Sequence, residues 1–139
     1  MPNEKLGGLE AAEFLGVDPV VMFKTFVALH NDDGKAVLAL VPANTEVDLK
    51  ALSSALGTKK MSAATLAQAE QLTGLQAGGI SPLALIGKAF SVVIDESALA
   101  LKVMYLSAGE RGLNISMAPD EVIRLTSAKT FPIGREKPA

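Results

Sequence analysis

The strongest constraint on the fold lies between residues 25 and 41. Two runs rich in β-formers, Thr25 to His30 and Ala36 to Val41, flank the tetrapeptide Asn31-Asp32-Asp33-Gly34. Branched and aromatic side chains suit a pleated surface, while Asn, Asp and Gly supply turn chemistry and positive φ. The pair is therefore predicted to be an antiparallel hairpin. A doubly wound, all-parallel sheet does not accommodate such a hairpin, so a mixed sheet is expected.

Other elements follow from caps and spacing. Glu10 to Leu15 reads as the end of a short helix stopped by Gly16, and Asp18-Pro19 opens one further turn. Asp48 is read as the cap of a helix through Leu49, Leu52 and Leu56 to Gly57. Ser62 is read as the cap of another, through Leu72 to Gly74, and Pro119 as the start of a last helix with Asp120 and Glu121 in its first turn. Strands are expected at Phe90 to Ile94, Lys102 to Leu106, Leu113 to Met117 and Thr130 to Ile133, with a turn at Ala108 to Gly112. The tail from Gly134 to Ala139 is expected to be loose. The fold class is thus α+β: a mixed, barrel-like β-sheet surrounded by helices, in one domain over residues 1–139.

Composition removes several chemistries. The chain is 49% hydrophobic but only 4% aromatic, so its core must rest on Ala, Leu, Val and Ile. It has no Cys, which rules out disulfides, thiolate metal sites and a Cys nucleophile. Its one His, His30, ends a strand beside a turn; no G-x-S-x-G elbow accompanies it, and no zinc ligand set can be assembled. The glycines from Gly74 to Gly79 form neither a dinucleotide fingerprint nor a P-loop, so no metal and no cofactor is expected. Met1 to Gly8 lacks the apolar core of a signal peptide, and Lys24 interrupts the best apolar stretch, well short of the ~20 residues of a membrane span. A cytoplasmic protein without a membrane partner is the expectation. The net charge of −2 argues against DNA and against a grip on a long nucleic acid. Any RNA contact is expected at one end.

Two features remain for chemistry. Lys24 stands inside Val20-Val21-Met22-Phe23-Lys24-Thr25-Phe26-Val27. It either snorkels from an edge strand or faces a cleft, where its ammonium holds an anion or polarises a carbonyl. The second is Gly78-Gly79-Ile80-Ser81-Pro82. It is either an ordinary tight loop after a helix, or a backbone that approaches a ligand and turns N–H groups toward an oxyanion. Lys59-Lys60 reads as a solvated face, and Ala108-Gly109-Glu110-Arg111-Gly112, taken alone, as a hairpin loop.

Three segments together resemble a known family. They are Phe23-Lys24-Thr25, the stretch from Thr73-Gly74 to Gly78-Gly79-Ile80-Ser81-Pro82-Leu83, and Tyr105-Leu106-Ser107-Ala108-Gly109-Glu110-Arg111-Gly112-Leu113. In this order and spacing they are similar to the YbaK/ProX family of prolyl-tRNA synthetase-associated editing domains. The resemblance implies a trans-editing hydrolase that deacylates mischarged tRNA, with cysteinyl-tRNA(Pro) as the first expectation and alanyl-tRNA(Pro) as an alternative. A non-catalytic module that binds a tRNA end or a synthetase is the other alternative. The resemblance further implies that Lys24 is catalytic, and that Thr25, Gly78, Gly79, Ile80, Ser81, Pro82, Ser107 and Gly109 bind substrate. The expected partners are the aminoacyl-tRNA acceptor end and prolyl-tRNA synthetase. The chain departs from the family pattern at Glu110, where a basic residue is frequent, at Asn114, where an acid is common, and in a first helix that follows Met1 almost at once.

Overall fold

The computed structural model describes residues 16–31, 34–76, 80–86, 90–110 and 113–136. The helix expected at Glu10 to Leu15 lies outside them. The expected hairpin is present: β1 (Phe23–His30) pairs antiparallel with β2 (Ala36–Pro42), from Phe23 opposite Pro42 to Leu29 opposite Ala36. Gly34, at φ 72°, donates its N–H to the His30 carbonyl at 2.8 Å and helps close the turn. Two parallel partners follow on the far side of β2, first β5 (Ser91–Asp95) and then β8 (Lys129–Phe131). With β4 (Met61–Ala63) antiparallel to the other edge of β1, the sheet order is β4-β1-β2-β5-β8. The sheet is mixed, as the hairpin required.

Both faces of this sheet are covered. On one, Phe23, Val27, Leu38, Leu40, Val92 and Ile94 pack with Ala69 of helix α2 (Leu66–Thr73) and Val122 of α3 (Pro119–Thr126). On the other, Ala28, Val37, Ala39, Val41 and Val93 pack with Leu52 of α1 (Leu49–Leu56). Alternate residues of β2 thus serve opposite cores, which is why the strand is buried almost throughout and carries nothing polar. A two-stranded ribbon, β6 (Met104–Glu110) with β7 (Leu113–Met117), extends the β1 edge. Met22 and Tyr105 form a parallel bridge there, and Met104 and Leu106 join Phe23 in the first core.

The caps explain the helix limits. Asp48 accepts from the Ala51 N–H at 3.1 Å, and Gly57, left-handed at φ 69°, closes α1. In α2 the cap is Thr65, not Ser62. Thr65 Oγ1 accepts from the Gln68 N–H at 3.1 Å, and Gln68 Oε1 accepts from the Thr65 N–H at 2.9 Å. Only Thr65 has a glutamine three residues on to complete this reciprocal pair. Ser62 lies on β4 instead, where its hydroxyl donates to Asn31 Oδ1 across 2.5 Å.

The segment from Gly134 corrects a second expectation. Gly134–Glu136 is strand β9, antiparallel to β3 (Thr45–Val47), where a loose tail was expected. Asp95 anchors it: Oδ1 accepts from the N–H groups of Ile133 at 3.0 Å and Gly134 at 2.8 Å, and Oδ2 accepts from Ser97 at 3.2 Å. Arg135 adds a 3.0 Å ion pair to Glu46, partly solvated and so of minor weight. The expected turn at Ala108 to Gly112 is also shifted, because β6 runs on through a register break between Ser107 and Glu110.

Candidate active site

Lys24 and Thr25 occupy the second and third positions of β1. One edge of this strand is fully paired with β2. On the other, β4 covers Ala28 to His30, and the Tyr105 bridge covers Met22. Lys24, Thr25 and Phe26 fall on the stretch between, which no strand pairs on that edge among the described residues. The strand edge therefore splits at the residues that the sequence marked as chemical.

Pleating sends the two side chains to opposite faces. Thr25 lies opposite Leu40 and between Phe23 and Val27, on the face of the first core, which also holds Ile80. Lys24 lies opposite Val41, on the face of the second core. Lys24 is half-buried, so its stem is covered while it remains reachable. The Thr25 hydroxyl is stranger. Its Oγ1 is buried and has no hydrogen-bond partner. A buried hydroxyl without a partner costs on the order of 1–3 kcal/mol, so an orphan of this kind is rare and asks for an explanation.

The Gly78–Pro82 loop is fixed at both ends. At its entry the buried Thr73 hydroxyl donates to the Ala69 carbonyl at 2.7 Å and accepts from the Leu75 N–H at 3.1 Å, while Gly74, at φ 73°, ends α2. At its exit Ser81 is fully buried, and its Oγ accepts from the Leu83 N–H at 3.2 Å, capping a 3-10 turn over Pro82–Leu85. Ser81 is thus committed to the turn, and the fully buried Pro82 locks its direction. Gly78 and Gly79 lie outside the described residues.

The same turn meets β6. Gly109 has φ +105°, and a Cβ built on it would stand 3.0 Å from the Ala84 Cβ. Only glycine permits this approach. Ser107 Oγ accepts from the Gly109 N–H at 3.3 Å and holds the bulge that makes it. The parallel Met22–Tyr105 bridge brings the start of β6 to the start of β1. Thr25 and Ile80 thus share one face, and Lys24 lies on the other. Ser81, Pro82 and Gly109 form the buttress between loop and ribbon. Ala84 was not singled out from sequence; an alanine carries no signal of what it will press against. Among the described residues, no group of three His, Asp or Glu side chains could hold a metal, and no helix is long and apolar enough to cross a membrane.

The chain as a whole is similar to known proteins. A family model described as "Aminoacyl-tRNA editing domain" matches residues 8–125. A protein of Enterococcus faecalis with the provisional name Cys-tRNA(Pro)/Cys-tRNA(Cys) deacylase EbsC is 36% identical over 127 residues, which is 91% of this chain and 76% of that protein. A proline–tRNA ligase of Desulforamulus reducens is 28% identical over 106 residues, 76% of this chain but only 18% of the ligase. Among solved structures, one provisionally described as a trans-editing enzyme for prolyl tRNA synthetase superposes with a TM-score of 0.82 at 24% identity, covering 97% of this chain and 83% of that one. At that identity the likeness is one of fold.

Proposed function

Since this chain belongs to the aminoacyl-tRNA editing domain family, we propose that it is a trans-acting deacylase of mischarged tRNA, with cysteinyl-tRNA(Pro) as its substrate and Lys24 as its catalytic cation. The observation that carries this reading is the orphan Thr25 hydroxyl, buried on the opposite face from Lys24, on the stretch of the β1 edge that no strand pairs among the described residues. A hydroxyl that is costly to leave unpaired in the free protein is explained if a substrate oxygen completes it.

An aminoacyl ester is already activated. Its hydrolysis joins a water oxygen to the carbonyl carbon, and the electron pair of the broken C–O bond stays on the ribose oxygen, which takes up a proton. The carbonyl oxygen carries negative charge on the way. A half-buried ammonium stabilises such a charge more than one in open water does. The ester is proposed to lie along the split edge, with Lys24 reaching it from one face and Thr25 and Ile80 from the other. Ile80, Ser81 and Pro82 then hold the loop in place, and Ser107 and Gly109 form the opposite wall. No His or Cys is needed for this chemistry. Editing meets a need that binding alone does not satisfy, because a synthetase rejects a smaller or isosteric amino acid poorly.

On this reading the chain acts as a single editing domain, and prolyl-tRNA synthetase supplies the grip on tRNA that a net charge of −2 does not. The test is kcat/KM on cysteinyl-tRNA(Pro) for the wild type and for Lys24→Ala. A drop of roughly 10²-fold or more is expected, as for loss of one oxyanion-stabilising group. Unchanged turnover in a folded Lys24→Ala protein would remove Lys24 from the mechanism. Binding without turnover in the wild type would leave a tRNA-binding module of the same fold.

A further inference from the structure

A strand at a sheet edge presents backbone N–H and C=O groups that another strand can pair with, and soluble proteins guard such edges with charge, proline or brevity. The edges of this fold differ in that respect. β4 and β8 border the main sheet, and each is three residues long; β8 begins with Lys129 and is followed by Pro132. β3 and β9 are also three residues each and carry Glu46, Arg135 and Glu136. β6 has β7 on one edge and the Tyr105–Met22 bridge on the other. β7 is the exception. It is five residues long, Leu113-Asn114-Ile115-Ser116-Met117, with no charge and no proline. Among the described residues, no strand other than β6 pairs with it.

By residue class, β7 reads the same from either end. Ile115 is central, Asn114 and Ser116 are its polar neighbours, and Leu113 and Met117 are its apolar ends. An antiparallel pairing with a second copy, about a two-fold axis at Ile115, sets Ile115 against the partner's Ile115. The same axis sets Asn114 against the partner's Ser116 and Leu113 against the partner's Met117. Opposed residues of an antiparallel pair share a face, so each pair joins like with like. An amide meets a hydroxyl on one face. Apolar meets apolar on the other, where Ile115 and Met117 already pack against the first core. Leu113, 50% exposed in the single chain, gains an apolar neighbour. A register shifted by one residue would set polar against apolar throughout. We propose that β7 is a self-association edge, through which two copies of this chain form a two-fold dimer with a continuous ribbon ordered β6-β7-β7-β6. The inference stands on the strand itself and is independent of the editing reading.

The test is the oligomeric state of the full chain, followed by sedimentation velocity over a concentration series. The wild type is expected to convert from monomer to a species of twice the mass. Asn114→Lys combined with Ser116→Lys sets two lysines against each other in both polar pairs and is expected to leave only monomer. Asn114→Lys combined with Ser116→Glu changes the same two positions but sets lysine against glutamate in both pairs. It is expected to restore the dimer, which separates lost pairing from lost folding. In the wild type, amide exchange along β7 is expected to slow as concentration rises, while exchange along β8 does not change. A wild type that stays monomeric at every concentration would overturn the proposal. So would a dimer that survives the two lysines, a lysine–glutamate variant that fails to dimerise, or β7 exchange indifferent to concentration. None of these readouts depends on ester hydrolysis.

Discussion

Replacing Thr25 by valine should move stability and activity in opposite directions. Valine keeps the branched shape that β1 needs and exchanges the buried, unpartnered Oγ1 for a methyl. The hydroxyl in the free protein carries a desolvation penalty with nothing to offset it, and relieving part of it should stabilise the fold by about 1 kcal/mol. For a chain of 139 residues this corresponds to a rise in Tm of about 3 °C. In the complex the same hydroxyl is proposed to donate to a substrate oxygen that gains negative charge. Losing such a bond costs about 1.5–3 kcal/mol, or roughly 10- to 100-fold in kcat/KM. The assays are differential scanning calorimetry without ligand and deacylation kinetics on the same preparation. A less stable Thr25→Val protein with unchanged kinetics would refute the reasoning, since the hydroxyl would then have been satisfied within the fold and idle in the reaction.

Other substitutions test the frame around the site. Gly109→Ala forces a side chain into φ +105° and against Ala84, so it should lose about 1–3 kcal/mol by thermal or denaturant unfolding. Adding Ala84→Gly should recover the steric part of that loss and not the backbone part. Asp95→Ala removes the acceptor of three backbone N–H groups and should cost roughly 3 kcal/mol, with faster amide exchange at Ile133 and Gly134. Arg135→Ala breaks only a largely exposed ion pair and should change stability by less than about 0.5 kcal/mol.

What the sequence made legible was what is local. The β1–β2 hairpin, the Asp48 and Pro119 helix starts and the Gly57 and Gly74 stops each depend on residues within a few positions, and each stands where it was expected. Long-range pairing was not legible. β3 and β9 are three residues each, too short for a periodicity to register, and Asp95, far away in sequence, holds the backbone of Ile133 and Gly134 where β9 begins. Ser62 and Thr65 are both reasonable caps by residue type. Gln68 is the signal that separates them, through the reciprocal bond it makes to Thr65 alone. For the site, the sequence picked out Lys24, Thr25 and the loop, and could not tell that Lys24 and Thr25 face opposite ways. That follows from the strand register, which puts Lys24 opposite Val41 and Thr25 opposite Leu40. The contact of Ala84 on Gly109 had no sequence signal at all.

The most direct test of the account is single-turnover hydrolysis of tRNA(Pro) charged separately with cysteine, alanine and proline, with Lys24→Ala run beside the wild type. The account predicts fast loss of the cysteinyl ester, slow or no loss of the prolyl ester, and no acceleration by Lys24→Ala above the spontaneous rate. Equal cleavage of all three, or cysteinyl cleavage that survives the loss of Lys24, would contradict it.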